Sequence, residues 1–392
     1  MTKGLDRRVL LTSGLALGAV AVHPVRAERK SIIAYVGSYT PNGHGVFKYS
    51  FDNRLGVLAP LGLAAPLANP SWITLDPQRN LLFALSEIEH GLVTAFAISP
   101  QNGSLSRINA VSAGASGPVY AALHPSGRFL LIANYTGGGV AVLSIDSDGA
   151  LGGPVEVIAA ARPAPPPPPA AQEAANLALS DHSAPHMHMI AADPTGRFAI
   201  AADAGSDRIY VWRIDTESGR LTPAATPFIS TLPGSAPRHF VFHPNGRRLY
   251  DLQEHDGVVC GYAFDPSNGA LTLEQMMPTA PDGFAGSNLA SELTLSLDGR
   301  FLFAGNRLRN SVRTIALGRS GRMRLESETW IQGDYPRSFT LDPSGRFLIC
   351  CNQRSDNLTV FGVDPKTGAL GFTGHFNAIG SPAVAAFHRV AG

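Results

Sequence analysis

Apolar residues along this chain fall into short runs that stop at the same punctuation. One run ends at Asp76-Pro77, and a second begins three residues later, giving PSWITLDPQRNLLFALSE over residues 70–87. The unit returns as PVYAALHPSGRFLLIANY (118–135), PRHFVFHPNGRRLYDLQE (237–254) and PRSFTLDPSGRFLICCNQ (336–353), with looser copies at 185–204 and 291–307. Runs of this length with turn residues between them read as strands. A Pro-x-Gly-Arg turn or a close variant joins each pair into a β-hairpin. Aspartate or histidine precedes the turn proline at Asp76, His124, Asp193, His243 and Asp342, and the fifth copy turns at Asp298-Gly299-Arg300.

The copies recur about every fifty residues, which is room for four strands. Third and fourth strands follow the hairpins in segments such as GLVTAFAIS, GVAVLSIDSDGAL, RIYVWRIDTESGRL, VVCGYAFDPSNGAL and NLTVFGVDPKTGAL. Two fragments stay unmatched. Ile32–Tyr39 resembles the second strand of the hairpin alone, and Ser381–Phe387 the first strand alone. Together they complete a seventh unit, so the expected fold is an all-β, seven-bladed propeller closed by pairing of the N- and C-terminal strands in one blade, with no open edge at the closure.

Composition fits that picture: 16% charged residues, 41 glycines and 30 prolines in 392 residues suit short strands and turns better than long helices. The first 27 residues carry an Arg7-Arg8 pair, an uncharged stretch from Val9 to Val22 and small residues at Val25 and Ala27, the layout of a cleaved twin-arginine export signal. That apolar stretch is shorter than a membrane-spanning helix needs, so no stable membrane anchor is expected after cleavage. Residues 28–392 would then form the propeller, with a proline-rich insertion at 162–181 and no catalytic content in it. Without the leader the chain has 27 basic and 29 acidic side chains, a net −2, which argues against nucleic acid as a partner. Three cysteines, Cys260, Cys350 and Cys351, cannot form a closed disulfide set, and Cys350 and Cys351, adjacent on a strand, point to opposite faces and read as small packing residues. Gly137-Gly138-Gly139 reads as a turn, since no helix follows it.

In a four-stranded blade the first strand lines the channel and the second returns beside it. The start of the first and the end of the second therefore share a rim, opposite the Gly-Arg turns. On that rim lie Trp72 and Glu87, Tyr120 and Asn134, His186 and His188, Arg238, His239 and Glu254, Glu292 with Asn306 and Arg307, and Arg337 with Gln353. Counting back from the turn at 244–247 sets Arg238 across from Gln253, beside Glu254. Such a pair is either an inter-strand ion pair or an ionised carboxylate able to fix a water. Glu292 and Arg307 are expected to face each other in the same way. His186 and His188 alternate with Met187 and Met189, so both imidazoles are expected on one side of the strand and both methionines on the other. Two histidines with no carboxylate in the same strand are a weak metal signal, and no metal or other cofactor is expected.

Taken in order, YVGSYT (35–40), NPSW (69–72), SGPVYAALHPSGRFLLIANYTGG (116–138), PHMH (185–188), PRHFVFHPNGR (237–247), SELTLSLDGRFLFAGNR (291–307) and PRSFTLDPSGRFL (336–348) resemble the β-propeller lactonases, which include propeller-type 6-phosphogluconolactonases and carboxy-cis,cis-muconate cyclases. The resemblance covers nearly the whole mature chain. It implies a small-molecule lactone substrate, no required metal, and a catalytic set of one histidine, two arginines and one glutamate. Position by position these fall on His188 or His186, Arg238, Glu254 and Arg307, with His239, Glu292, Arg337 and Gln353 available to bind substrate. Gln253 stands where the family usually has asparagine. A muconate-lactonizing isomerase on the same residues and a non-catalytic binding propeller are the competing readings. An exported enzyme would not meet a cytoplasmic phosphorylated lactone, because a phosphate does not cross the bilayer core unaided. The expectation is therefore a periplasmic enzyme acting on an unphosphorylated sugar lactone.

Overall fold

The computed structural model describes residues 31–161 and 178–390, apart from 256, 282, 285 and 287. The expected leader, residues 1–27, and positions 162–177 of the proline-rich stretch lie outside the described residues. Twenty-eight strands, β1 to β28 in chain order, form seven four-stranded antiparallel sheets. Six sheets are built from consecutive strands. Their channel-side strands are β4 (Ile73–Asp76), β8 (Pro118–Leu123), β12 (Met187–Ala192), β16 (Pro237–Phe242), β20 (Ala290–Leu295) and β24 (Pro336–Leu341). In the seventh, β28 (Pro382–Val390) pairs with β1 (Ser31–Ser38), from Ser31 opposite Val390 to Ser38 opposite Pro382, and β2 (Gly45–Asp52) and β3 (Val57–Pro66) continue the sheet. The chain ends thus share a blade, as the two unmatched fragments imply.

Alternation puts one face of each strand against the blade before and the other against the blade after, so the core is a set of apolar layers between blades. Phe129, Leu131 and Val142 of one sheet, for example, pack with Met187, Ile190 and Ala201 of the next. Cys350 and Cys351 join different layers, with Phe361 and Val360 respectively, as neighbours on a strand must. The hairpin turns lie on the far rim from the strand starts. There Asp193 and Asp342 accept the amides of the turn residues Arg197 and Arg346, and Gly127 takes φ 70° where an L side chain would be strained. The turn arginines do more than end a strand. Arg128 reaches Glu217 of the adjoining blade at 2.8 Å, and Arg300 reaches the Pro365 carbonyl at 2.5 Å, so these side chains tie neighbouring blades together.

One local feature of the channel-side strands was not expected and decides the site. After its first residue the register shifts in five of them: between Pro118 and Tyr120, Met187 and Met189, Pro237 and His239, Ala290 and Leu293, and Pro336 and Ser338. Each shift is a β-bulge, which re-aims a side chain by breaking the alternation. The residues left unpaired include His188, Arg238, Glu292 and Arg337.

Candidate active site

The bulge corrects three sequence expectations. Pro237, not Arg238, pairs with Gln253; Arg238 sits in the bulge and is 2% exposed. Met187 and Met189 face opposite blade interfaces, one with Phe129 and the other with Phe240, because His188 between them is the bulged residue. Ala290 takes the place across from Asn306, so Glu292 and Arg307 do not meet and each finds its partner in another blade.

Glu254 follows the last residue of β17 (Arg248–Gln253), its amide bonded to the Ala236 carbonyl at 2.7 Å. Its Oε2 accepts Arg238 Nε at 3.0 Å and lies 2.8 Å from Arg307 Nη2. Arg307 also donates to the Leu289 and Ala290 carbonyls at 3.2 and 3.1 Å and to the Tyr335 hydroxyl at 3.2 Å, and Arg238 donates to the Ser291 carbonyl. Burial pushes the Glu254 carboxyl up, but the charges of Arg307 and Arg238 and the Ser180 hydroxyl outweigh it, so its pKa falls below the ordinary glutamate value. Burial, then Arg307, brings the Arg238 guanidinium down to about 10, still a cation at neutral pH.

Beside this triad stand two neutral imidazoles. His188 is buried, its Nδ1 has no hydrogen-bond partner, and its ring lies edge-on to His239 at 5.0 Å and to Tyr135 at 5.6 Å. Burial first, then Arg238, His239, Arg337 and Arg307, holds it well below the ordinary histidine value. The His239 value is also lowered, by burial against the upward pull of Glu292. Its Nδ1 is 3.0 Å from Glu292 Oε1, an acceptor, so the proton is on Nδ1 and the unpartnered Nε2 carries the lone pair. Trp72 and Tyr120, ring centroids 4.2 Å apart, pack on His239. Arg337 Nη2 donates to Tyr39 Oη at 2.8 Å and lies 3.5 Å from Glu87, which also accepts from Tyr39.

His186 separates from His188: it stacks on Tyr135 at 4.3 Å, with Nδ1 3.0 Å from the Tyr135 carbonyl and Nε2 3.2 Å from Asp181. Gln353 is half-buried, and its backbone N–H donates to the Tyr335 carbonyl at 3.0 Å. Asn134 and Asn306 leave the rim set, because both are fully buried and bonded to backbone or neighbouring side chains of the fold. Four residues that sequence reasoning passed over join it: Tyr39, Tyr335, Ser180 and Asp181. Tyr39 lies in the YVGSYT segment and Tyr335 directly before Pro336, so position could have found them. Ser180, which donates to Glu254 Oε1 at 3.0 Å, and Asp181 end the stretch expected to hold no catalytic content, and proline-rich composition hid them. Among the described residues no group of three or more His, Cys, Asp or Glu side chains is arranged to hold a metal ion.

Replacing Arg238 by methionine is expected to cut kcat/KM by about a hundredfold, since its buried guanidinium holds Glu254. Arg128→Met, on the opposite rim in an exposed pair with Glu217, is expected to leave it within about twofold. Equal losses in parallel assays would mean that the two rims have been assigned wrongly.

A ring of seven blades, with a buried carboxylate between two guanidiniums and an uncharged imidazole at one mouth, defines a propeller with the groups of an acyl-transfer site. The chain belongs to the seven-bladed β-propeller lactonase family, whose model matches residues 33–387. It is similar to the 6-phosphogluconolactonase of Bacillus subtilis, 28% identical over 344 residues that cover 86% of this chain and 93% of the relative. It is likewise similar to the 6-phosphogluconolactonase of Formosa agariphila, 28% identical over 86% of this chain and 94% of that one. Among solved structures, the periplasmic gluconolactonase of Pseudomonas aeruginosa superposes with a TM-score of 0.83 at 34% identity, covering 91% of this chain and 99% of the other.

Proposed function

We propose that this protein hydrolyses the ester bond of an unphosphorylated sugar lactone outside the cytoplasmic membrane. The observation that carries the reading is the ionised Glu254 carboxylate between Arg238 and Arg307 beside neutral His188. A carboxylate held ionised can orient water and take its proton as the water adds to the lactone carbonyl, directly or through His188, and return it to the ring oxygen. In this reading the guanidiniums stabilise the oxyanion, a contribution that typically amounts to about 10²-fold in rate per donor. Relatives named 6-phosphogluconolactonase and gluconolactonase support the reaction class.

The rim's charge favours the neutral substrate. Arg238 and Arg307 share Glu254, and Arg337 faces Glu87, so each guanidinium already has a carboxylate beside it. Glu292 and Asp181 add further negative charge. A doubly charged phosphate meets no surplus of cations among these groups. Periplasmic residence rests on the Arg7-Arg8 leader and on likeness to a periplasmic relative; no helix among the described residues is long and apolar enough to cross a membrane.

A pH-stat assay against neutral aldonolactones, their 6-phospho forms and muconolactones tests the substrate, and fractionation tests the compartment. A protein beginning near Glu28 is expected in the periplasm, with kcat/KM for the neutral lactone equal to or above that for the phosphorylated one. A full-length cytoplasmic chain with strong preference for the phosphorylated compound would refute both halves.

A further inference from the structure

The longest connection between blades runs from the end of β11 (Leu151–Ala159) to Met187, and its last residues return over the candidate site, held there by hydrogen bonds from Ser180 and His182. Ser180 Oγ donates to Glu254 Oε1 at 3.0 Å, Asp181 lies 3.2 Å from His186 Nε2, and His182 Nε2 lies 3.2 Å from Asp207 Oδ1. The other ring nitrogen of His182, Nδ1, is 3.0 Å from the carbonyl oxygen of Ser180. A carbonyl oxygen only accepts. Asp207 is also an acceptor, since it takes the amides of Gly234 at 2.7 Å and Ala236 at 2.9 Å. Both nitrogens therefore face acceptors, and only the doubly protonated imidazolium satisfies the two at once.

We propose that His182, as an imidazolium, is a clamp that holds Ser180 on Glu254, making Ser180 a positioning residue for the carboxylate. The role rests on the lactone-hydrolase reading above. Glu254 Oε2 is occupied by the two guanidiniums, so Oε1 is the oxygen left to meet water. A hydroxyl on Oε1 fixes the rotation of the carboxylate and leaves a lone pair for that water. Asp207 extends the clamp to the site's frame, because Ala236, which it holds, accepts the Glu254 amide and directly precedes Pro237 and Arg238.

The charged groups that face His182 are Asp207, from the turn after β13 (Phe198–Asp203), and Asp181 on its own segment; residues 231–236, whose amides bind Asp207, carry no charge. The hydrogen bond to Asp207 raises the His182 pKa, burial opposes it, and the net is above the ordinary histidine value. The clamp is therefore present in acidic solution and is lost as pH rises through that raised value.

Steady-state kinetics on a neutral aldonolactone from about pH 5.5 to about pH 9, with NMR titration of His182 in the same mature protein, test the proposal. Ser180→Ala is expected to lower kcat about tenfold below the His182 midpoint with KM within about twofold, and Ser180→Thr to restore it to within about threefold. His182→Gln is expected to resemble Ser180→Ala and to lose the wild type's decline above the His182 midpoint. His182 itself is expected to titrate above the ordinary histidine value, and Asp207→Asn to bring it down. A His182 midpoint at or below the ordinary histidine value overturns the clamp. Unchanged kcat and pH profile in Ser180→Ala overturn the positioning role. A wild type that hydrolyses no lactone overturns the reaction reading and the positioning role with it, while the titration still confirms or overturns the clamp.

Discussion

Glu254→Gln is expected to leave the propeller folded while lowering kcat by about two orders of magnitude or more. The amide has the same shape, so Arg238, Arg307 and Ser180 keep a side chain between them. It has too little basicity to take a proton from water, and it carries no charge to offset the two guanidiniums. Removing one member of a buried ionic group leaves the others uncompensated, so the melting temperature is expected to fall as well. The wild-type profile supplies the second readout. Because the Glu254 pKa is held below the ordinary glutamate value, activity should persist through mildly acidic solution and be lost only as pH falls through that lowered value. Circular dichroism and a pH-stat assay on the same sample decide the matter: a folded Glu254→Gln protein with wild-type turnover would remove Glu254 from the reaction.

Deleting residues 381–392 is expected to destabilise the whole ring, lowering the melting temperature by about 10 °C or more or abolishing cooperative unfolding. Strand β28 is the channel-side strand of its blade and pairs with β1 along its length. It buries Ala383, Val384, Ala385 and Val390, and its residues enter two interblade layers, with Val36 and Ile349 on one side and Ile73 and Leu82 on the other. Its loss would open the edge of β1 and thin both layers. Calorimetry showing one transition at the wild-type midpoint would contradict closure through a shared blade.

Blade count and closure were legible because both depend on local pattern. The hairpin repeat sets the number of units, and the half-hairpins at Ile32–Tyr39 and Ser381–Phe387 can be satisfied only by each other. The rim was legible for a related reason. A turn at known residues fixes which strand ends lie together, and His188, Arg238, Glu254 and Arg307 do lie on one mouth. Residue identity alone could not separate the rim's site groups from its structural ones: Asn134 and Asn306 look as available in sequence as Glu254, yet both are fully buried, Asn134 donating to the Ala113 carbonyl and Asn306 accepting from Asn288.

What the amino-acid sequence determined by itself is the seven-fold all-β ring, its closure and the rim that gathers ionisable groups, since alternation and turn chemistry act over a few residues and repeat in every copy. Tertiary structure alone decided how those groups are paired. A bulge shifts register by one residue, which moves Arg238 off its expected partner and turns Met187 and Met189 to different blades. Partners then come from other blades: His239 meets Glu292 of the next blade from fifty-three residues away, Arg307 reaches back to Glu254, and Ser180 reaches Glu254 from a proline-rich connection. Contacts of that range follow from how blades stack around the channel, and no periodicity within one blade encodes them.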